Sequence, residues 1–380
     1  MRRSRTPRGK GAATAEPVAD MAKLVKEIRK TFGDRSIVKG NEIFQPERNP
    51  TGIFTLDLAL LGGVFDRCIT ELHGRRSSGK TTTLYKIMAN AQKKYPGRAV
   101  GFVDAELTYD PVWAEKLGVN TSDLLVAQPQ SGEEAVDVTQ ALMAHPDVCM
   151  VGLDSIAAMT PMKEVEEAAE DIHVGIHSKL VTRLVRKVLH SISLAAAAGR
   201  PMSMVCTNQD RAGIGKWAPP GQEAITNPGG KALEHYAALQ IKFKNKETLK
   251  KDDEGFELLN VNEHAFTVEK NKFNAGIRKG EFQLQRIDDE EYGLVEGDID
   301  CASTMISFAK RMGIYTGGGR SWTLELPSGS ITHANADEWV KHIYSDRDLY
   351  NEMYNHLIAL HAAKLGMPEY LIESIYAQVR

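Results

Sequence analysis

The 380-residue chain contains no stretch of about 18 consecutive apolar residues, so no membrane-spanning helix is expected. Arg2, Arg3, Arg5, Arg8 and Lys10 lie near its start, but no apolar segment follows them. That excludes a secretory signal and leaves a basic, disordered tail over residues 1–20. Cysteine is scarce and scattered. Cys68, Cys149, Cys206 and Cys301 form no C-x-x-C pair and no zinc spacing, which points to reduced core thiols and a cytoplasmic compartment. His173 and His177, near Glu170 and Asp171, make half a metal site that no further ligand cluster completes. No tandem repeats are seen. Charge of one sign is also lacking. The net charge is −3, so any site for a polyanion must be a local patch.

What is present is a phosphate loop. Gly74-Arg75-Arg76-Ser77-Ser78-Gly79-Lys80-Thr81 reads G-x-x-x-x-G-K-T and is followed by Thr82. The apolar stretch 68–72 precedes it, and a helical pattern from Thr82 to Lys93 follows. Strand, loop and helix together make the match specific. Glycines let backbone N–H groups curl around phosphate oxygens, and the helix N-terminus adds positive potential. Lys80 neutralises the β- and γ-phosphates of a nucleoside triphosphate, and the Thr81 hydroxyl is a Mg²⁺ ligand.

Short apolar strands are expected at 68–73, 99–103, 148–153, 202–206, 238–243 and 264–269, with helices between several of them. This rhythm implies an α/β fold with a mostly parallel sheet, whose ligands bind at the carboxyl ends of the strands. Functional side chains stand at those ends. Asp154 closes the strand at 148–153 and belongs to the Mg²⁺ shell. Glu106 follows Phe102-Val103-Asp104-Ala105 and is the candidate general base for the attacking water. Gln209 follows Thr207-Asn208, where its amide can bond a γ-phosphate and report its presence. Trp113, after Asp110-Pro111-Val112, suits either a core position or stacking on a base.

Two long loops interrupt the pattern, at 161–173 and at 210–230. The second is rich in glycine and proline and carries Arg211 and Lys216. A loop of that length in a compact domain is usually functional. A long helix follows the first loop. Val181, Leu184, Val185, Val188 and Ile192 form its apolar stripe, and Lys179, Arg183, Arg186 and Lys187 a basic one. Beside such loops, that basic stripe suits a nucleic-acid backbone.

The rest divides into smaller pieces. Met21, Leu24, Val25, Ile28 and Phe32 sit at helical spacing, followed by a short strand pattern at 36–39. Residues 21–50 therefore read as a helix and strand that need a partner to bury themselves. Residues 51–291 read as the main α/β core and 292–380 as a small α+β unit, with helix at 298–312 and a strand at 321–326.

Taken in order, these residues resemble the bacterial RecA-type DNA recombinases over about residues 22–345. The resemblance rests on Phe32-Gly33, Ser36-Ile37, Thr51-Gly52, Leu56-Asp57, Ser77 to Thr82 and Phe102 to Glu106. It continues through Asp110-Pro111, Lys116 to Val119, Leu153 to Ala158, Asn208-Gln209, Gly229-Gly230 and Lys270-Asn271-Lys272. It implies a RecA-like P-loop ATPase core and an ATP- and Mg²⁺-dependent enzyme. Such an enzyme polymerises on single-stranded DNA as a helical filament and exchanges that strand with homologous double-stranded DNA. The helix and strand from 21 would dock on the neighbouring subunit. The loops at 161–174 and 210–230 would bind DNA, with Val174 and Ile214 inserting between bases and Arg186 and Arg211 on the backbone. Lys216, Gly229 and Gly230 lie in or next to the second loop. Trp113 would stack on adenine, Asp110 would contact its amino group, and Lys270 and Lys272 would reach a neighbour's γ-phosphate.

The chain also departs from that family. Gly213 stands where a lysine is expected and His235 where an aromatic relay is expected. Ala265 and Thr267 replace a basic pair, although Lys244 and Lys246 keep charge nearby, and the end Ala-Gln-Val-Arg lacks an acidic tail. These differences fit a divergent member, a phage-encoded one included. A RecA-fold helicase and a non-exchanging paralogue acting as a mediator are the rival readings. The first would lack the N-terminal helix, and the second would often have lost Glu106 or Gln209.

Overall fold

A computed structural model describes residues 21–33, 36–37, 47–166, 175–212, 225–226, 228–246, 250–251, 257–258, 261–273 and 276–377. The chain divides into a unit of residues 1–45 and a unit of residues 46–380. The first contains helix α1 (Met21–Phe32), none of whose residues is buried within it. Of the apolar stripe read from the spacing, Leu24 and Phe32 are 51% and 74% exposed, while Val25 and Ile28 are half-buried. The strand expected at 36–39 falls largely outside the described residues.

The larger unit is organised by an eight-stranded sheet. Its strands are β1 (Ile69–Gly74), β2 (Ala99–Asp104), β3 (Leu124–Ala127), β4 (Val148–Asp154), β5 (Ser203–Gln209), β6 (Leu239–Lys246), β7 (Val261–Asn271) and β8 (Lys279–Gln285). Their spatial order is β8-β7-β6-β1-β5-β4-β2-β3. The run from β6 to β3 is parallel, whereas β7 and β8 add antiparallel strands at one edge. Parallel strands need helical crossovers, which bury both faces of the sheet. Here α3 (Lys80–Lys94) covers one face, and α5 (Gly132–Ala144) and α6 (Ile176–Ala197) cover the other. Leu84, Ile87 and Met88 of α3 share a cluster with Leu72, Phe102, Val205 and Ile241. Val181, Leu184, Val185 and Val188 of α6 share another with Ile69, Val103, Val151 and Met204.

Each of the six strands expected between 68 and 269 is present within a few residues. The two edge strands were not expected: β3 is a short apolar run, Leu124-Leu125-Val126-Ala127, and β8 mixes polar and apolar residues. Leu125 and Val126 of β3 are exposed, and β8 largely alternates exposed and more buried positions.

After β8 come α8 (Ala302–Met312), the antiparallel sheet β9 (Tyr315–Gly318), β10 (Ser321–Leu326) and β11 (Gly329–His333), then α9 (Ala336–Ser345), α10 (Arg347–Lys364) and α11 (Glu369–Ala377). The helix expected from 298 begins at Ala302. These elements pack against α2 (Phe54–Leu60) in the same cluster as α3. Phe54 meets the rings of Phe308 and Tyr354 edge-on, and the Tyr354 hydroxyl donates to buried Asp57 at 2.7 Å.

Candidate functional site

The phosphate loop lies between the end of β1 and the start of α3, at the carboxyl edge of the parallel strands. Two glycines make its path possible. Gly74 has φ +151°, and a Cβ there would come within 2.3 Å of the Phe243 carbonyl oxygen. Gly79 has φ +90°, and a Cβ there would lie 3.1 Å from the His264 ring. Gly79 is also the N-cap of α3 and supplies no side-chain acceptor. The first N–H groups of a helix have no partner within it, so the loop presents donors and positive potential together. Arg75, Arg76 and Ser77 are exposed, Ser78 is buried with its hydroxyl donating to the Arg75 carbonyl, and Thr82 is half-buried.

Lys80 is 8% exposed, and its ammonium donates to the carbonyls of Gly74 at 3.2 Å and Arg75 at 2.7 Å. Burial lowers its pKa, while the charges of Asp154, Glu106 and Asp210 act the other way. The side chain is thus held inside the loop, close to the carboxylates of the neighbouring strands.

Those carboxylates converge. Asp154, at the end of β4, is 3% exposed and accepts from the Thr81 hydroxyl at 2.7 Å and from the Thr207 hydroxyl. Burial raises its pKa, opposed by both hydroxyls and by Lys80, while Glu106 adds to the rise. A carboxylate held this way against the first turn of α3 suits a divalent cation beside the phosphates, because added positive charge relieves the burial cost. The donor set of one hydroxyl and one carboxylate, both hard oxygens, fits Mg²⁺.

Glu106 stands in the loop after β2. Its Oε1 accepts from the Ser155 hydroxyl at 2.5 Å and from the Gln209 amide at 2.9 Å. The loop is set by Asp104, fully buried, which accepts from the backbone of Thr108 and Tyr109 and from the Gln128 amide. Lys80 after β1, Glu106 after β2, and Asp154 and Gln209 at the ends of β4 and β5 therefore stand at the carboxyl ends of the strands.

Asp110 caps α4 (Pro111–Lys116), its Oδ1 accepting from the N–H groups of Val112 and Trp113. Trp113 is half-buried against the α3-side core, with the Arg286 guanidinium 5.0 Å from its ring centroid. One face of the indole is therefore already occupied by a cation.

Lys270 and Lys272 lie elsewhere. The Lys270 ammonium donates to the carbonyls of Glu234 at 2.5 Å and His235 at 3.1 Å, and that of Lys272 to His235 at 3.4 Å. Both lysines thus cap the C-terminal end of α7 (Lys231–Tyr236), where carbonyl oxygens carry partial negative charge. Lys270 pairs with Gln240, which pairs with Glu71, whereas the phosphate loop begins at Gly74. At about 3.3 Å per residue, this separates the lysines from the loop along the strand by about 10 Å. The sequence alone gave the two ammonium groups no partner in their own chain, and helix α7 supplies one.

On α6, Arg186 and Lys179 are exposed, while Arg183 and Lys187 lie 3.9 Å and 2.6 Å from Asp137 of α5. Half of the basic stripe is therefore already paired. Gly229 and Gly230 lie against the start of the same helix, where a side chain would run into Val181 or Ser178. Val174, Ile214, Lys216 and the side chain of Arg211 lie outside the described residues, as does His173. His177 bonds the Ile156 carbonyl at 3.0 Å, and no metal-binding cluster exists among the described residues.

Sequence reasoning passed over Ser155 and Thr207, which orient Glu106 and Asp154. It also passed over the ion-paired group of buried His73 and Asp210 with half-buried Lys242 and exposed Glu269. Glu71 and His73, two ionisable residues in a strand buried along its whole length, were the available signal.

A parallel sheet with a phosphate loop on one strand and a carboxylate–amide pair on its neighbours is the α/β architecture of a P-loop ATPase core. Comparison with known proteins narrows the class. A family model for the RecA N-terminal domain matches residues 19–287. "Protein RecA" of Allochromatium vinosum is 35% identical over 319 residues, covering 81% of this chain and 88% of the relative. Those of Bifidobacterium longum and Cutibacterium acnes are each 34% identical, covering 79% and 76% of this chain and 70% and 81% of the relatives. The chain belongs to the RecA family.

Proposed function

We propose that this protein is an ATP- and Mg²⁺-dependent recombinase that assembles on single-stranded DNA as a helical filament and exchanges that strand with a homologous duplex. The observation that carries the reading is the Glu106–Gln209 bond: the candidate base touches the residue that leads into the glycine-rich segment 210–230. Hydrolysis and a DNA-contacting segment then share one side chain.

In this reading Lys80 and the N-terminus of α3 bind the triphosphate, and Thr81 and Asp154 hold Mg²⁺. When bound, the cation supplies Lewis acidity toward the phosphoryl oxygens. Glu106 takes the proton of the attacking water, and Gln209 senses the γ-phosphate. Ser155 keeps Glu106 oriented. Asp110 and Trp113 border the base. Val174, Ile214, Lys216, Gly229 and Gly230 belong to the DNA path, with Arg186 and Arg211 on phosphates. Helix α1 docks on the neighbouring subunit, and Lys270 and Lys272 leave their α7 carbonyls to reach the neighbour's nucleotide. No helix among the described residues is long and apolar enough to cross a membrane, in keeping with a cytoplasmic DNA partner.

The test is homologous pairing by purified protein, with ATP, Mg²⁺, circular single strands and linear duplex. Joint molecules that need both ATP and homology are expected. DNA-stimulated hydrolysis without joint molecules overturns the exchange reading in favour of a non-exchanging paralogue, and duplex unwinding in favour of a helicase.

A further inference from the structure

None of the steps above uses the charged group, buried at His73 and Asp210 and open to solvent at Glu269, that adjoins the phosphate loop. His73 precedes Gly74 on β1, Asp210 follows Gln209, Lys242 is on β6 and Glu269 on β7. The His73 Nδ1 lies 2.9 Å from Asp210 and its Nε2 3.2 Å from Glu269. Lys242 closes the group, 3.5 Å from Asp210 and 3.8 Å from Glu269. The side chains of His73 and Asp210 are 3% and 2% exposed.

Backbone contacts tie this group to the site. The Asp210 N–H donates to the Gly74 carbonyl at 3.1 Å, and Lys80 donates to the same oxygen at 3.2 Å. Asn208, two residues earlier, donates to Glu71 at 2.8 Å and to the Pro228 carbonyl at 3.1 Å. Both roots of the segment between 210 and 228 are thus fastened within three residues of one another, at the end of β5. The middle one of the three, Gln209, bonds Glu106.

We propose that Asp210 and His73, with Lys242 and Glu269 behind them, are positioning residues that clamp the Gln209–Asp210 peptide to the end of the phosphate-loop strand. The clamp rests on the reading of Gln209 given above and adds to it a route. A shift of the phosphate loop moves Gly74, Gly74 moves Asp210, and Asp210 moves the root of the 210–228 segment. Buried ion pairs contribute little net stability, because desolvation offsets their attraction, yet losing one partner is costly because the other is stranded. Such a group is suited to fixing one arrangement rather than to strengthening the fold.

Protonation supports the geometry. Burial disfavours charge on His73, but the bonds to Asp210 and Glu269 and the charge of Glu71 override it, and its pKa is raised from 6.5 to about 9. Burial acts to raise the Asp210 pKa, and the bond and charge of His73 with Lys242 leave it lowered. The bond from His73 chiefly lowers that of Glu269. A raised histidine pKa means the clamp is complete below about 6.5 and weakens as pH rises through about 9.

The experiment measures DNA-stimulated ATP hydrolysis and binding of a non-hydrolysable ATP analogue in full-length wild type, D210A, H73A and H73Q. D210A and H73A are expected to lower kcat by on the order of 10–100-fold, the scale of a misplaced catalytic group, with KM within about 2-fold. H73Q, whose amide can still donate to Asp210, is expected to recover most of the rate. The wild-type rate should fall as pH rises through about 9, and that of H73Q should not. If D210A or H73A does not fold, the wild-type and H73Q pH profiles carry the test. Unchanged kcat in folded D210A and H73A, or identical pH profiles, overturns the proposal. A wild type without DNA-stimulated hydrolysis instead overturns the proposed function. The clamp is then judged by hydrogen exchange of residues 211–227 with the ATP analogue and with ADP. A difference between the two nucleotides that D210A abolishes supports it, and one that D210A preserves, or no difference, refutes it.

Discussion

Replacing Glu106 by glutamine separates two roles that the structure places on one side chain. As a structural acceptor, Glu106 receives bonds from Ser155 and Gln209 on a single oxygen, Oε1. A glutamine of the same shape keeps a carbonyl oxygen there, so both donors stay satisfied. Their bonds lose charge assistance, which costs about 1 kcal/mol by the usual difference between charged and neutral acceptors. Removing the negative charge offsets part of that cost, because Glu106 repels Asp154. Stability and nucleotide affinity should therefore change little. As a base, however, an amide cannot take a proton. General-base catalysis is worth about 10²–10⁴-fold, and at about 1.36 kcal/mol per decade that is about 2.7–5.4 kcal/mol of barrier. E106Q should therefore bind a non-hydrolysable ATP analogue like wild type while its phosphate release, under saturating ATP and single-stranded DNA, falls by at least about 100-fold. Hydrolysis at the wild-type rate would refute the assignment of the base and leave Glu106 as a structural acceptor.

Other outcomes follow from the same geometry. W113A should weaken nucleotide binding by about 0.5–1.5 kcal/mol, measured by titration of the analogue, if the indole face away from Arg286 receives the base; unchanged affinity with intact folding leaves Trp113 as a core residue. R186A and R211A should each lower the slope of log affinity for single-stranded DNA against log salt by about 0.7, the value for one phosphate contact. R183A should change that slope less, because Asp137 already partners Arg183, and equal slopes for R183A and R186A would place the DNA elsewhere. The double variant K270A/K272A should bind ATP analogue but lose DNA-stimulated turnover, and mixing it with E106Q should restore part of the activity through interfaces that pair intact halves. No complementation at any ratio, with filaments visible by microscopy, would confine the lysines to capping α7.

The sequence by itself determined the nucleotide loop and the central strands of the sheet. G-x-x-x-x-G-K-T between an apolar strand and a helix has few other uses, and central parallel strands, covered on both faces, are written as continuous apolar runs such as Val148–Leu153. It also placed Asp154, Glu106 and Gln209 at strand ends, because an α/β sheet binds ligands there. Strand order was beyond it. Only the tertiary structure set β5 between β1 and β4, which brings Gln209 to Glu106 and Thr207 to Asp154. The edge strands were harder to see: β3 is an apolar run of only four residues, two of them exposed, and β8 mixes lysine, glutamate and glutamine with its apolar positions. The fold alone also gave Lys270 and Lys272 the carbonyls of α7 and gathered His73, Asp210, Lys242 and Glu269 from four separate segments. Local patterning reveals what a residue needs, whether burial, a cap or a positive φ. Which distant residue meets that need depends on the sheet that brings the two together.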